Sequence, residues 1–223
     1  MNPELQRKLA VEFIGMFLFM FTVGTATNRA GAGVLAPLAI GSILMVMVFA
    51  GGHISGGHYN PAVSTAVLLR GRMATIEYVA YLATQFAAAA LAGLLVRYVG
   101  GHERHALVAS AGKMLIVEFL FTFALAWVVL HTATARGTEG NSFYGLAIGF
   151  TVLAGALAVG GISGAAFNPA IALGAMVTGL LEWSKIWIYL IADLLGAAVA
   201  AYAFLFVLPA EKATGDIEAA STE

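Results

Sequence analysis

Ser55-Gly56-Gly57-His58-Tyr59-Asn60-Pro61-Ala62 returns later in the chain as Ser163-Gly164-Ala165-Ala166-Phe167-Asn168-Pro169-Ala170. Asparagine is among the best helix N-caps, proline is best tolerated at the first helical position, and alanine is the strongest helix former, so each Asn-Pro-Ala starts a helix. The segments begun in this way, 60–70 and 168–178, are apolar but only about eleven residues long, about 16 Å of helix against a hydrocarbon core of about 30 Å. Both segments read as half-spans.

The repetition extends outward from these motifs. Val11-Glu12-Phe13 recurs as Val117-Glu118-Phe119, and Tyr81-Leu82 recurs as Tyr189-Leu190. Glu12 precedes Asn60 by 48 residues and Glu118 precedes Asn168 by 50, while each tyrosine comes 21 residues after its asparagine. The order and spacing are those of an internal duplication. Around the half-spans, apolar stretches at roughly 9–28, 34–52, 74–96, 114–133, 141–160 and 185–208 are long enough to cross a bilayer. Three spans per repeat is odd, so the second repeat enters the membrane from the opposite side. Inverted repeats of this kind place a substrate path at the midplane between short interrupted helices.

Composition agrees with that reading, because 61% of the 223 residues are hydrophobic and only 10% are charged. No Asp, Glu, Lys or Arg occurs from Ala30 to Leu69 or from Asn141 to Leu181. The first apolar stretch is expected to be a retained span, since no small-residue cleavage site with a polar mature segment comes after it. The absence of cysteine excludes disulfides and thiolate chemistry. A net charge of −1 offers no basic surface to nucleic acid, and the five histidines are not spaced as metal ligands. No nucleophile or paired catalytic carboxylates stand in the half-span regions, so an enzyme is not expected, nor a cofactor or metal. The fold class is therefore an all-α membrane protein, with six transmembrane helices and two re-entrant half-helices in inverted repeats over about 1–100 and 110–209. Residues 1–209 form one transmembrane channel domain, and 210–223 form a polar, acidic, solvent-side tail.

With Arg70 at the headgroup level, ten residues of helix carry Asn60 about 15 Å inward, to the bilayer centre, and Asn168 reaches the same depth from the other face. Two helix N-termini then abut, each with about half a positive charge, and the two Asn amides offer donors to the gap. Cations and protons meet a barrier there, whereas a neutral hydroxylic solute meets hydrogen-bond donors. The Gly-rich stretches Gly51–Tyr59 and Gly160–Phe167 are expected to run extended, to line a cavity or pack on protein, and to need acceptors for their N–H groups. Glu12 and Glu118 supply them, with Gln85 and Asp193, each 25 residues after its asparagine, as braces. A sharper reading of Asp193 is a proton relay. His53 and His58 are expected to hydrogen-bond the first loop, with a pH gate at His58 as the sharper reading.

The segments 52–63 and 161–170 resemble the two signatures of the major intrinsic proteins, the aquaporins and glycerol facilitators, and the resemblance covers the chain up to the tail. It implies the aquaporin fold, passive conduction, a pore in every protomer and a homotetramer in the lipid bilayer. It also implies a cytoplasmic N-terminus and, with an even number of spans, two cytoplasmic termini of a multi-pass protein in the cell (inner) membrane. Charge alone barely orients the chain, with six Lys or Arg inside and five outside.

One departure from the family bears on the solute. The residue after the second Asn-Pro-Ala is Arg in most members and Ile171 here, and some bacterial-type members that lack this Arg are associated with arsenic handling. Counting from the motifs, the other selectivity-filter positions fall on Ile40, Ala156 and Ala165, and none of the four side chains donates a hydrogen bond. The expected solutes are water, glycerol, urea and neutral metalloid hydroxides such as arsenous acid. The competing classes are a proton-coupled secondary transporter, for which Asp193 is the midplane candidate, and a non-conducting membrane scaffold.

Overall fold

The computed structural model describes residues 2–28, 31–100 and 109–212. In chain order the helices are α1 (Pro3–Ala26), α2 (Ala36–Ser55), α3 (Pro61–Leu69), α4 (Thr75–Gly100), α5 (Ala111–Val129), α6 (Tyr144–Ser163), α7 (Pro169–Thr178) and α8 (Ile186–Val207). Short 3-10 turns precede α2 and α8, and α5 runs on into a π-helical turn over Leu130–Thr134. Six of these, with the turns continuous with them, are 20 to 26 residues long and apolar enough to cross a membrane. At 1.5 Å per residue the shortest reaches about 30 Å. Large apolar side chains such as Leu18, Phe150 and Leu195 lie on the outside, while the centre combines many alanines with larger residues such as Met16, Met20, Tyr81 and Tyr189. Apolar side chains on the outside suit a chain whose outer solvent is hydrocarbon.

Two expectations from sequence need correction. The stretches from Gly51 and Gly160 are not extended throughout, because α2 and α6 continue to Ser55 and Ser163 before left-handed Gly56 (φ 86°) and Gly164 (φ 87°) end them. The first run's glycine serves close packing: a Cβ on Gly51 would lie 2.1 Å from the Tyr59 hydroxyl. The non-helical backbone is thus confined to about five residues in each loop. The tail boundary also moves, since Pro209–Glu211 forms a 3-10 turn in which Glu211 is buried. The remaining tail positions, 213–223, lie outside the described residues.

The repeats interlock. Half-helix α3 packs on α4 of its own repeat and on α8 of the other, and α7 packs correspondingly on α8 and α4. At the pseudo-twofold crossing of α2 and α6, a Cβ on Gly41 would lie 2.7 Å from the Gly149 carbonyl oxygen, and one on Gly149 would lie 2.5 Å from that of Gly41. Backbone meets backbone there, as small residues permit.

The contacts of Arg70 break the pseudo-symmetry. Arg70 caps the C-terminal end of α3 and is only 2% exposed, whereas its counterpart at the end of α7 is Thr178. The Arg70 guanidinium donates to the Thr134 hydroxyl (2.7 Å) and carbonyl (2.9 Å), and to the Glu211 carboxylate (2.5 Å). It also lies 5.0 Å over the Phe204 ring. The other Glu211 oxygen accepts the Arg136 backbone N–H at 2.7 Å. The first half-helix is thereby bolted to the end of the last span and to the segment after α5.

The Arg136 N–H, and after it the Arg70 guanidinium, holds the Glu211 carboxyl below its ordinary value, against the opposing effect of burial. A lowered folded value means stability that is complete at neutral pH and lost as pH falls through it. Glu211→Ala, which strands a buried guanidinium, is expected to destabilise the protein by about 3 kcal/mol at neutral pH. Thermal unfolding in detergent checks this, and the difference from wild type should shrink as the pH drops below about 4.

Candidate functional site

The two loops meet at the N-termini of α3 and α7. Asn60 caps α3, its side-chain oxygen accepting the N–H groups of Ala62 (2.8 Å) and Val63 (3.4 Å) with Pro61 at the first helical position. Asn168 caps α7 in the same way through Ala170 (2.9 Å) and Ile171 (3.4 Å), with Pro169 at that position. The side-chain nitrogens then cross over. Asn60 Nδ2 donates to the Phe167 carbonyl and Asn168 Nδ2 donates to the Tyr59 carbonyl, both at 2.8 Å. An amide carries two N–H bonds. One of each pair is spent on the opposite loop, which leaves one for a solute.

Behind the loops stand the two glutamates, both fully buried. Glu12 accepts the N–H groups of His58 (2.9 Å) and Tyr59 (2.7 Å), the Ser55 hydroxyl (2.8 Å) and the Gln85 amide (2.9 Å). Glu118 accepts the N–H groups of Ala166 (3.1 Å) and Phe167 (2.7 Å), with Ser163 and Asp193 beside it. Asp193 accepts the Thr122 hydroxyl at 3.1 Å. Tyr59 and Phe167 hold left-handed backbone (φ 45° and 48°), as does Ala165 (φ 51°) where the first repeat has Gly57. L-residues adopt this conformation at a cost of about 1–2 kcal/mol, which the glutamate bonds offset, and it turns the Tyr59 and Phe167 carbonyls toward the opposite asparagines.

Two cavities flank this junction. A mouth of about 610 Å³ is lined by Lys8, His53, His58, Arg72 and Tyr144, among others. A second cavity, the waist, of about 10 Å³ is lined by His58, Asn60 and Asn168 together with apolar Phe19, Leu44 and Ile148, and His58 borders both cavities. The waist has room for about one water.

Most of the residues expected from sequence come together here. Asn60, Pro61, Ala62, Asn168, Pro169 and Ala170 are buried as one group, with Glu12, Glu118, Gln85 and Asp193 as braces. His58 bonds the Ser64 hydroxyl at 3.0 Å within the first loop. His53 departs from expectation: it is exposed on the last turn of α2 and lines the mouth, because the helix continues past it instead of unwinding. Ile40, Ala156 and Ala165 are half-buried and Ile171 is 4% exposed. Sequence reasoning assigned no role to Tyr81 and Tyr189, whose hydroxyls bond the Ser55 and Ser163 carbonyls at the ends of α2 and α6. Their recurrence at equal spacing was the available signal. Ser64, Thr122 and the Arg70–Glu211 pair carried none.

Known proteins share this architecture. Residues 2–204 match the family described as Major intrinsic protein. The chain is 37% identical over 220 residues to Aquaporin TIP4-2 of Zea mays, covering 89% of this chain and 83% of that protein. It is 36% identical over 223 residues to Nodulin-26 of Glycine max, covering 94% and 80% respectively. The X-ray structure of the aquaglyceroporin from Plasmodium falciparum superposes with a TM-score of 0.76 at 19% identity, covering 93% of this chain and 98% of that one.

Removing the first brace should collapse its loop. Glu12→Ala strands four donors in a water-poor interior, each costing about 1–3 kcal/mol. Osmotic water flux per inserted molecule, measured by light scattering from proteoliposomes, is expected to fall at least about tenfold.

Proposed function

The chain belongs to the major intrinsic protein family, and from that premise we propose that this passive channel for water and small solutes is tuned to neutral solutes larger than water. The observation that carries the reading is Ile171, which occupies the first turn of α7 where most of the family places an arginine. Its backbone N–H is spent on Asn168 and its side chain offers only methyl and methylene groups. With Ile40, Ala156 and Ala165 it makes a filter without a charge or a side-chain donor. Two of the four are alanine, so the opening is wide as well as apolar. Glycerol, urea and undissociated metalloid hydroxides such as arsenous acid fit that description, because each is uncharged and larger than water. The paired N-termini of α3 and α7 oppose cations and protons at the waist, independently of the filter.

The functional unit is the transmembrane domain 1–209 together with the turn that ends at Glu211. It sits in the cell membrane as a homotetramer with one pore per protomer and both termini in the cytoplasm. In that orientation the large mouth, which carries Lys8, Arg72 and Arg136, is the cytoplasmic vestibule. Six of the eleven cationic side chains then lie inside, in keeping with the positive-inside rule.

Stopped-flow light scattering on proteoliposomes tests the filter, with wild type compared to Ile171→Arg for water, glycerol, urea and arsenous acid. The added guanidinium is expected to lower permeability to the larger solutes by about tenfold, an extra barrier of ~1.4 kcal/mol, and to lower that of water by less. Equal loss for all solutes, or no loss, overturns the reading.

A further inference from the structure

The two repeats hold their loops with the same glutamate but with different neighbours. In the first repeat Gln85 donates its amide to Glu12 at 2.9 Å and to the Ser64 hydroxyl at 3.2 Å. In the second repeat the corresponding residues are Asp193 and Ala172. Asp193 has no exposed surface, like Glu118 beside it, and the two carboxyl groups are in hydrogen-bonding contact. Glu118 is already an acceptor for the Ala166 and Phe167 N–H groups. Asp193 Oδ1 accepts from Thr122, and the Asn168 N–H faces the same carboxyl, but Oδ2 has no donor.

The surroundings offer no counter-charge. Among the described residues, the groups bearing on either carboxyl are Thr122, Ser163, Tyr189 and loop N–H groups, with no cation. Tyr189 has already committed its hydroxyl to the Ser163 carbonyl. Two ionised carboxylates in contact and out of water repel one another, and neither has a positive partner. One proton on the pair removes the repulsion and gives the unpartnered oxygen a donor's role.

We propose that Asp193 retains its carboxyl proton and donates it to Glu118, doing with an O–H what Gln85 does for Glu12 with an N–H. Glu118 is the ionised member, because it receives two backbone N–H groups and the Ser163 hydroxyl, whereas Asp193 receives only the Thr122 hydroxyl and the Asn168 N–H. The proton stays on Asp193, hydrogen-bonded to the Glu118 oxygen, so nothing is transferred and no charge enters the pore. Asp193 is thus a positioning residue for Phe167 and Asn168, acting through Glu118. The proposal rests on the loop geometry alone and is independent of which solute passes.

Infrared spectroscopy of the lipid-reconstituted protein tests it without reference to transport. At neutral pH, where an ordinary aspartate is ionised, wild type should show the carbonyl stretch of a protonated carboxylic acid. Asp193→Asn should abolish that band, and Thr122→Val should shift it by removing a hydrogen bond to the same group. Water permeability supplies a second readout. Asp193→Asn, whose amide can donate as Gln85 does, should stay within about twofold of wild type, while Asp193→Leu should fall about tenfold or more. Absence of the band in wild type overturns the proposal, as does a band left unchanged by Asp193→Asn. If that variant fails to insert, a band that Thr122→Val does not move overturns it equally. Permeability of Asp193→Asn as low as that of Asp193→Leu would also count against it.

Discussion

A backbone N–H cannot be left bare inside a bilayer, and two stretches of this chain leave helical geometry deep within it. The structure depends on how the N–H groups at positions 58–59 and 166–167 are satisfied. Water is scarce at that depth, and the strands of a sheet are absent among the described residues. What remains is a buried carboxylate for each loop, Glu12 and Glu118, each accepting two consecutive N–H groups. A buried carboxylate is itself costly, and it persists because those donors stabilise it. Each carboxylate is needed by its loop, and each loop's N–H groups are needed by the carboxylate.

With the loop N–H groups spent on the glutamates, the loop carbonyls are left for other partners. The left-handed turns at Tyr59 and Phe167 then fix the last carbonyl before each asparagine, and each is taken by the asparagine of the other repeat. The two half-helices are therefore held by bonds between repeats as well as by packing of α3 on α8 and α7 on α4. The relative position of the two positive helix ends is set by a pair of equivalent hydrogen bonds, and displacing one half-helix would break both.

Much of this was legible in the sequence because a duplicated motif carries its own control. Asn60 and Asn168 are N-caps by residue preference alone, half-span length comes from counting apolar residues, and Glu12 and Glu118 stand out as recurring acids within spans. Sequence overstates the length of the extended loops because glycine has two uses. At Gly51 it makes room for Tyr59, which a composition count cannot tell apart from glycine that unwinds a helix. His53 is misplaced for the same reason, since one more helical turn points it into the mouth. The Arg70–Glu211 bridge joins positions 141 residues apart and has no counterpart in the second repeat, so neither local pattern nor symmetry announced it. Its partners become visible only when α8 is seen to end over the tip of α3.

The symmetry that secures the waist also limits where such a channel can diverge. A change to the asparagines or the glutamates disturbs the bonds that hold the two loops together, whereas the residues just before the asparagines contribute backbone carbonyls and differ between the repeats. The ends of the half-helices and the walls beyond the loops are free of that coupling, and there the repeats differ most. Arg70 meets Glu211 at one face, where the other repeat has only Thr178, and Ile171 at the first turn of α7 corresponds to Val63, which lies at the waist in α3. The pair Gln85 and Asp193 is intermediate: it touches the shared glutamate frame, and the exchange is tolerable there only if both residues present a donor to it. On the proposed reading, selectivity is written in residues whose replacement leaves the central bonds intact, and the exclusion of charge in residues tied to one another across the repeats.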